Sequence, residues 1–215
     1  MAAKDKRKKQ LETKLSTREL IITEAERLIA VKGVDGLRLA EIADFVGIQR
    51  PSIYSHFSSR SALLARIIAR AVMDLKDDFV VDERLDPLEN LRIGARMLTR
   101  RMAAHPAHVR IVLLDFGYPN GLPEFTEQFG PPGELEKSGV LRPMIDRIGS
   151  MLESGEKAGT FRYYSPLGFY HTLLSVILVR LSLEHRKTSN KQISPQQLRE
   201  FEASIDDLCV LLVKR

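Results

Sequence analysis

Apolar positions recur along this chain at spacings of three and four almost from end to end, which predicts helices rather than strands. Ser16 followed by Glu19 has capping-box spacing. Behind it Ile21, Ala25, Leu28 and Ile29 share one face of a helix that Gly33 stops. Two short helical segments follow, residues 39–46 and 50–57, separated by Gly47 and Ile48. After Ser58 and Ser59 a longer helix, Ser61 to Phe79, carries Leu63, Leu64, Ile67, Ile68, Ala71, Val72 and Leu75. Pro87 suits the first turn of a helix running to about Ala104, and Pro106 opens another that ends near Gly117. Residues 117–133 hold four glycines and four prolines, which no regular element tolerates, so a long loop is expected with one helical turn around residues 124–129. Further helices are expected from about Pro143 to Ala158, and after Ser165-Pro166 and Ser194-Pro195. Thr160 to Tyr164 is the only strand candidate.

Composition narrows the class. A chain of 215 residues buries roughly 70% of its unfolded surface on folding. With 44% hydrophobic and 28% charged residues, wholesale disorder is excluded. Its single cysteine, Cys209, rules out an internal disulfide framework and a cysteine-rich zinc site. The longest unbroken apolar run, Leu208 to Val213, is six residues, too short to cross a membrane. No apolar segment follows the first basic residues, so a secretory signal is not expected. The net charge of +5 is uneven: residues 1–15 carry six basic side chains against two acidic ones, while residues 16–60 balance. A basic arm before a neutral fold suits a polyanion, although a solvated, disordered tail has the same composition.

The segment from Leu39 to Phe57 is the most informative. Leu39, Ile42, Ala43 and Val46 give the first short helix a buried face. Gly47 can turn the chain sharply, and Ile48, Ile53 and Phe57 pin a second helix across the first. This is helix-turn-helix spacing, in which the second helix offers its outer face to the major groove. That face carries Gln49, Arg50, Ser52, Tyr54, Ser55 and His56, all able to bond phosphates or base edges and none acidic.

Ile42-Ala43, Gly47 and the run Ser52-Ile-Tyr-Ser-His-Phe-Ser-Ser-Arg-Ser-Ala-Leu-Leu64 resemble the signature of TetR-type transcriptional regulators. The strong part of the resemblance covers residues 16–68. The chain departs from that pattern at Leu37-Arg38, where a capping Ser or Thr is usual, at Gln49, a poor N-cap, and at Pro51 in the recognition helix. Arg38 at that helix start can contact a phosphate instead. The resemblance implies phosphate contacts from Tyr54, His56, Arg60 and Ser61, and base contacts from Arg50 and Ser52.

It also implies an all-α fold in three parts: a disordered basic arm (residues 1–15), a three-helix helix-turn-helix DNA-binding domain (16–60), and a helical ligand-binding and dimerisation domain (61–215). For the ligand site the sequence offers Met97, Phe116, Tyr118, Phe125, Met144, Tyr170 and Leu174, with Arg101, His105, His171 and Ser175 as polar anchors. Such residues also describe an ordinary core. For a two-fold dimer it offers the stripe Phe201, Ile205, Leu208 and Leu212, together with Leu178 and Leu181 on the preceding helix. No Gly-rich phosphate loop or metalloprotease motif occurs, so an enzyme is not expected. His105 and His108 have spacing that could share a metal, but they read as a solvent-exposed pair at a helix start, and no metal or cofactor is expected. The expected protein is a cytoplasmic homodimeric repressor. It reads a palindromic operator on double-stranded DNA and is released by a small apolar or amphipathic effector, with no membrane partner. The alternative is an architectural DNA-binding protein without an inducer.

Overall fold

Ser16 caps the first helix as its spacing predicts: its hydroxyl accepts from the Glu19 N–H at 3.3 Å, and Gly33 ends the helix at φ 78°. The computed structural model describes residues 15–131, 134–135, 137–187 and 193–215, so most of the basic arm lies outside the described residues. Helix α1 (Thr17–Lys32) packs on α2 (Leu39–Val46). Gly47, left-handed at φ 83°, then turns the chain toward α3 (Ile53–His56). The expected start of that helix is tighter than an α-helix. Residues Arg50–Ser52 form a 3₁₀ turn, because Gln49 supplies no side-chain cap and Pro51 has no N–H to donate. Ile42, Ala43, Val46, Ile53 and Phe57 are buried with Ile21, Ala25 and Ile29 of α1, which fixes the crossing of the two short helices.

Helix α4 (Arg60–Leu75) begins behind Ser59, whose hydroxyl accepts from the Ala62 N–H at 3.0 Å. It ends four residues before the expected Phe79. Phe79 lies outside the helix at φ 59°, a left-handed conformation uncommon for a non-glycine residue. The surrounding contacts hold it there. Arg147 donates to the carbonyls of Lys76, of Asp78 at 3.1 Å and of Phe79 at 2.9 Å. Gly94 gives the Phe79 ring its room, since a Cβ there would sit 2.3 Å from a ring carbon.

The remaining helices are α5 (Pro87–Ala104), α6 (Pro106–Gly117), α7 (Pro123–Phe129), α8 (Arg142–Lys157), α9 (Pro166–Lys187) and α10 (Pro195–Val213). Among the described residues these complete ten α-helices, and the strand candidate reduces to an isolated Phe161–Lys214 bridge. Helix α10 carries a full capping box, Ser194 with Gln197, and lies along α5 through Arg96–Asp206 (2.7 Å) and Arg100–Glu202 (2.5 Å). Helix α9 packs on α5, α6 and α8. Among the described residues it alone is long and apolar enough to cross a bilayer, a property that a count of unbroken runs misses. Its apolarity has two sources: Phe169, Leu173, Ile177 and Leu181 are buried, while Val176, Val179 and Leu183 form a second, exposed stripe. Helix α1 packs on α6, and α4 packs on α6 and α7, so the N-terminal helices sit directly on the C-terminal ones.

Candidate nucleic-acid interface and internal cavity

Gln49, Arg50, Ser52, Tyr54 and Ser55 are exposed on one end of the molecule, with His56 half-buried beside them. Tyr54 leaves 56% of its surface free, unusual for an aromatic next to a packed hairpin. Ser55 donates to the Ser52 carbonyl at 2.7 Å. Arg50 does not stand alone: its guanidinium meets Asp44 at 3.1 Å, and both side chains are exposed. Asp44, one helix earlier, is a functional candidate that sequence reasoning missed; its only signal was an acid six residues before the arginine. Arg38 folds back on its own turn, donating to the Asp35 carbonyl at 2.5 Å and the Leu37 carbonyl at 3.2 Å. Arg60 turns inward and donates to the Val34 carbonyl at 2.6 Å, bracing the turn after α1. Ser61 donates to Glu124 of α7 at 2.8 Å. Gln49, Ser52, Tyr54 and Ser55 thus form an open polar edge around Arg50, while Arg38, Arg60 and Ser61 are engaged within the chain.

Behind α4 lies a cavity of about 290 Å³. Ile68, Ala71, Val72 and Leu75 of α4 form one wall, and His108, Ile111, Val112 and Asp115 of α6 another. Phe125 and Thr126 of α7 and the loop before it close one side; Tyr170, His171 and Leu174 of α9 close the other. Of the expected lining, Phe116, Tyr118, Phe125, Tyr170, His171 and Leu174 are brought together there. Met97, Arg101, His105, Met144 and Ser175 are not. Met144 is buried in the core, and Met97 lies on α5 beside the core-facing Leu98. Arg101 is paired to Asp78, whose side chain is fully buried, at 2.9 Å. Ser175 faces outward on α9. The α4 wall was missed because Ile68, Ala71, Val72 and Leu75 have the spacing of an ordinary core face. Among the described residues no lysine or arginine lines the cavity. Asp115 is already committed, accepting from the Leu122 N–H at 2.6 Å.

Two further expectations concern which side chains are left exposed. The pair His105 and His108 is not solvent-exposed: His108 is 2% exposed and stacks on His105 with ring centroids 4.7 Å apart, because the corner between α5 and α6 folds under α1. Burial, with the charge of His108 behind it, holds His105 below the ordinary histidine value. The expected dimer stripe divides between buried and half-buried positions, and of the two expectations only that of the exposed histidine pair is overturned. Leu178, Leu181, Phe201 and Ile205 are buried inside the subunit, where α10 lies on α5, and Leu208 and Leu212 are half-buried. Among the described residues of α9 and α10, the large apolar side chains left exposed are Leu167, Val176, Val179 (54% exposed), Leu183 and Leu211 (71% exposed).

Comparison with known proteins places this geometry. A model described as bacterial regulatory proteins, tetR family, matches residues 21–67. The HTH-type transcriptional repressor BdcR of Escherichia coli (strain K12) is 35% identical over 36% of this chain and 43% of its own length. The HTH-type transcriptional repressor BepR of Brucella suis biovar 1 (strain 1330) is 34% identical over 36% of this chain and 37% of its own. The chain therefore matches less than half the length of either curated relative. Over the whole fold it is similar to the ketosteroid transcriptional regulator KstR2 of Mycobacterium tuberculosis, with TM-score 0.69, 17% identity, and 93% and 96% of the two chains covered. It is also similar to the fatty acid degradation regulator FadR from Bacillus halodurans, with TM-score 0.61, 20% identity, and 92% and 96% covered.

Proposed function

We propose that the chain is a dimeric transcriptional repressor of the TetR family, released from a palindromic operator by a small neutral, apolar ligand. The observation that carries this reading is α4. Its first residues, Arg60 and Ser61, directly follow the polar edge, and its second half, Ile68 to Leu75, walls the cavity. A ligand that displaces α4 displaces the reading head.

The cavity's size is near the lower end of the roughly 300–1,000 Å³ usual for small-molecule sites. Its apolar walls, and the absence of a lining cation among the described residues, favour a neutral ligand over a carboxylate. Two structural neighbours carry names that refer to ketosteroids and to fatty acid degradation, and an apolar cavity suits compounds of that general kind. The proposed division is a DNA-binding domain over residues 16–60 and a ligand-binding and dimerisation domain over 61–215, acting in the cytoplasm. Dimerisation is assigned to the exposed stripe Val176, Val179 and Leu183 of α9 with Leu211 of α10, which a two-fold mate would cover.

The test is a mobility shift of the chain on DNA from its own promoter region, with and without neutral apolar ligands. Saturable binding that one ligand abolishes is expected. Binding that no cavity-sized ligand alters would favour the architectural reading, and binding to no DNA would end both.

A further inference from the structure

We propose that Glu26, His105 and His108 form a binding site for a divalent transition-metal ion of the zinc type at the junction of α1 and α6. Each of the three offers one donor atom, and these atoms lie within 4.8 Å of one another. The residues come from two places in the fold: Glu26 from the middle of α1, His105 and His108 from the start of α6. A spacing of three puts both imidazoles on one side of that turn.

The second observation is that the cluster leaves buried polar atoms unsatisfied. His108 is 2% exposed, yet its Nε2 has no hydrogen-bond partner, and Glu26 Oε1 has none either. The two atoms face each other at 3.5 Å, an ion-pair separation too long for a good hydrogen bond. Buried polar atoms are ordinarily satisfied, so two that are left with only this long contact, beside a third donor from His105, leave room for an ion that all three could bind. Two neutral imidazoles and one carboxylate are the donor set of open zinc sites, which leave a further position for water or another ligand. Of the three, His108 is also part of the cavity wall.

The rings are nearly parallel, 10° apart, so the lone pairs must converge before they share an ion. Donors around a tetrahedral ion with bonds of about 2.0–2.1 Å stand about 3.3 Å apart, so the closure needed is small. A bound ion would tie α1 to α6. The consequence for DNA affinity rests on the proposed repressor function; the site itself does not.

The experiment uses the full-length, tag-free chain after treatment with a chelator. Zn²⁺ is titrated in by calorimetry, and Co²⁺ is added in parallel as a visible-absorption probe. One ion per chain is expected, with a Co²⁺ spectrum of nitrogen and oxygen ligands, and a melting temperature that rises on ion addition. Glu26→Gln and His108→Asn should each weaken Zn²⁺ binding by more than the roughly 10–100-fold that loss of an outer partner costs. No saturable binding by the unmodified chain overturns the proposal, as does binding undiminished in both variants. If a variant loses helicity by circular dichroism, the Co²⁺ spectrum and the melting shift of the unmodified chain decide. A metal-free chain that binds its operator but no ion refutes the site and leaves the repressor reading standing.

Discussion

Arg101 separates a ligand-binding reading from a structural one. Its guanidinium donates to both oxygens of Asp78, at 2.9 and 3.2 Å, and Asp78 is fully buried. Arg101→Met keeps the aliphatic stem and leaves a buried carboxylate without its partner. Breaking a buried pair from one side costs about 3–5 kcal/mol. At roughly 2–4 °C per kcal/mol for a domain of this size, the midpoint should fall by about 6–20 °C, read at fixed protein concentration because a dimer's melting depends on it.

The pH dependence has a definite sign. Burial raises the Asp78 pKa above its ordinary value, against the opposing pull of Arg101. A carboxyl raised in the folded state contributes stability below its unfolded pKa and loses it as pH rises through the folded pKa. Removing Arg101 raises that pKa further. The deficit of Arg101→Met should therefore be largest at neutral pH and shrink on mild acidification, and Asp78→Asn combined with Arg101→Met should recover stability and lose the pH dependence. Urea titrations at the two pH values measure it. An unchanged midpoint, or a deficit equal at both, would refute the clamp; weakened ligand binding at normal stability would return Arg101 to the ligand.

Val179→Glu with Leu211→Glu should give folded monomers with weakened operator binding, measured by light scattering and mobility shift; a dimer would place the interface elsewhere. Asp44→Ala should tighten binding to unrelated DNA by removing an anion from the proposed interface, and to operator more strongly because it also frees Arg50 for bases; no change in a salt series would separate Asp44 from the interface. Gly94→Ala should cost about 1–3 kcal/mol of overpacking, since the new Cβ meets the buried Phe79 ring at 2.3 Å, and chemical denaturation reads it directly. Deleting residues 2–9 should lower the salt slope of DNA affinity by about 1 for each phosphate that a lysine or arginine of the arm neutralises.

Most helix starts and stops were legible in the sequence because they depend on neighbours a few residues away; the end of α4, where the distant Arg147 holds the turn, was not. Ser16, Gly47, Pro87, Pro106 and Ser194 all act where their spacing puts them. The exposure of Gln49, Arg50, Ser52, Tyr54 and Ser55 was legible for the same reason, since Ile53 and Phe57 beside them are buried. Less legible were assignments that need to know which neighbour covers a face. Phe201 and Ile205 make an apolar stripe whether α5 or a second subunit lies on it, and here α5 does. Val176, Val179 and Leu183 have the same spacing on the other side of α9. Met144 and Tyr170 are equally apolar, yet one fills core and the other walls a cavity, a difference of packing volume that no local pattern records. Arg101 and Asp78 lie 23 residues apart, and only the turn after α4 brings them together.

Under the proposed release by a ligand, that turn is the expected pivot of α4. The C-terminal end of α4 is fixed by Arg147 on the carbonyls of Lys76, Asp78 and Phe79, and by the buried Asp78–Arg101 pair next to them. The N-terminal end is held to the body by packing, of α1 on α6 and of α4 on α7, and its polar anchor is an exposed hydrogen bond from Ser61 to Glu124. A net hydrogen bond of that kind contributes about 0.5–1.5 kcal/mol, well below the 3–5 kcal/mol of breaking a buried charge pair. Force applied from the cavity to Ile68, Val72 and Leu75 should therefore swing α4 about its C-terminal end. The Ser61–Glu124 hydrogen bond yields first, and the reading head moves farthest because it lies at the free end. To carry the head from 99% competent to 99% released, the ligand must prefer the swung state by about 5.5 kcal/mol. A ligand that fills the cavity without distinguishing the two positions of α4 would bind and release nothing.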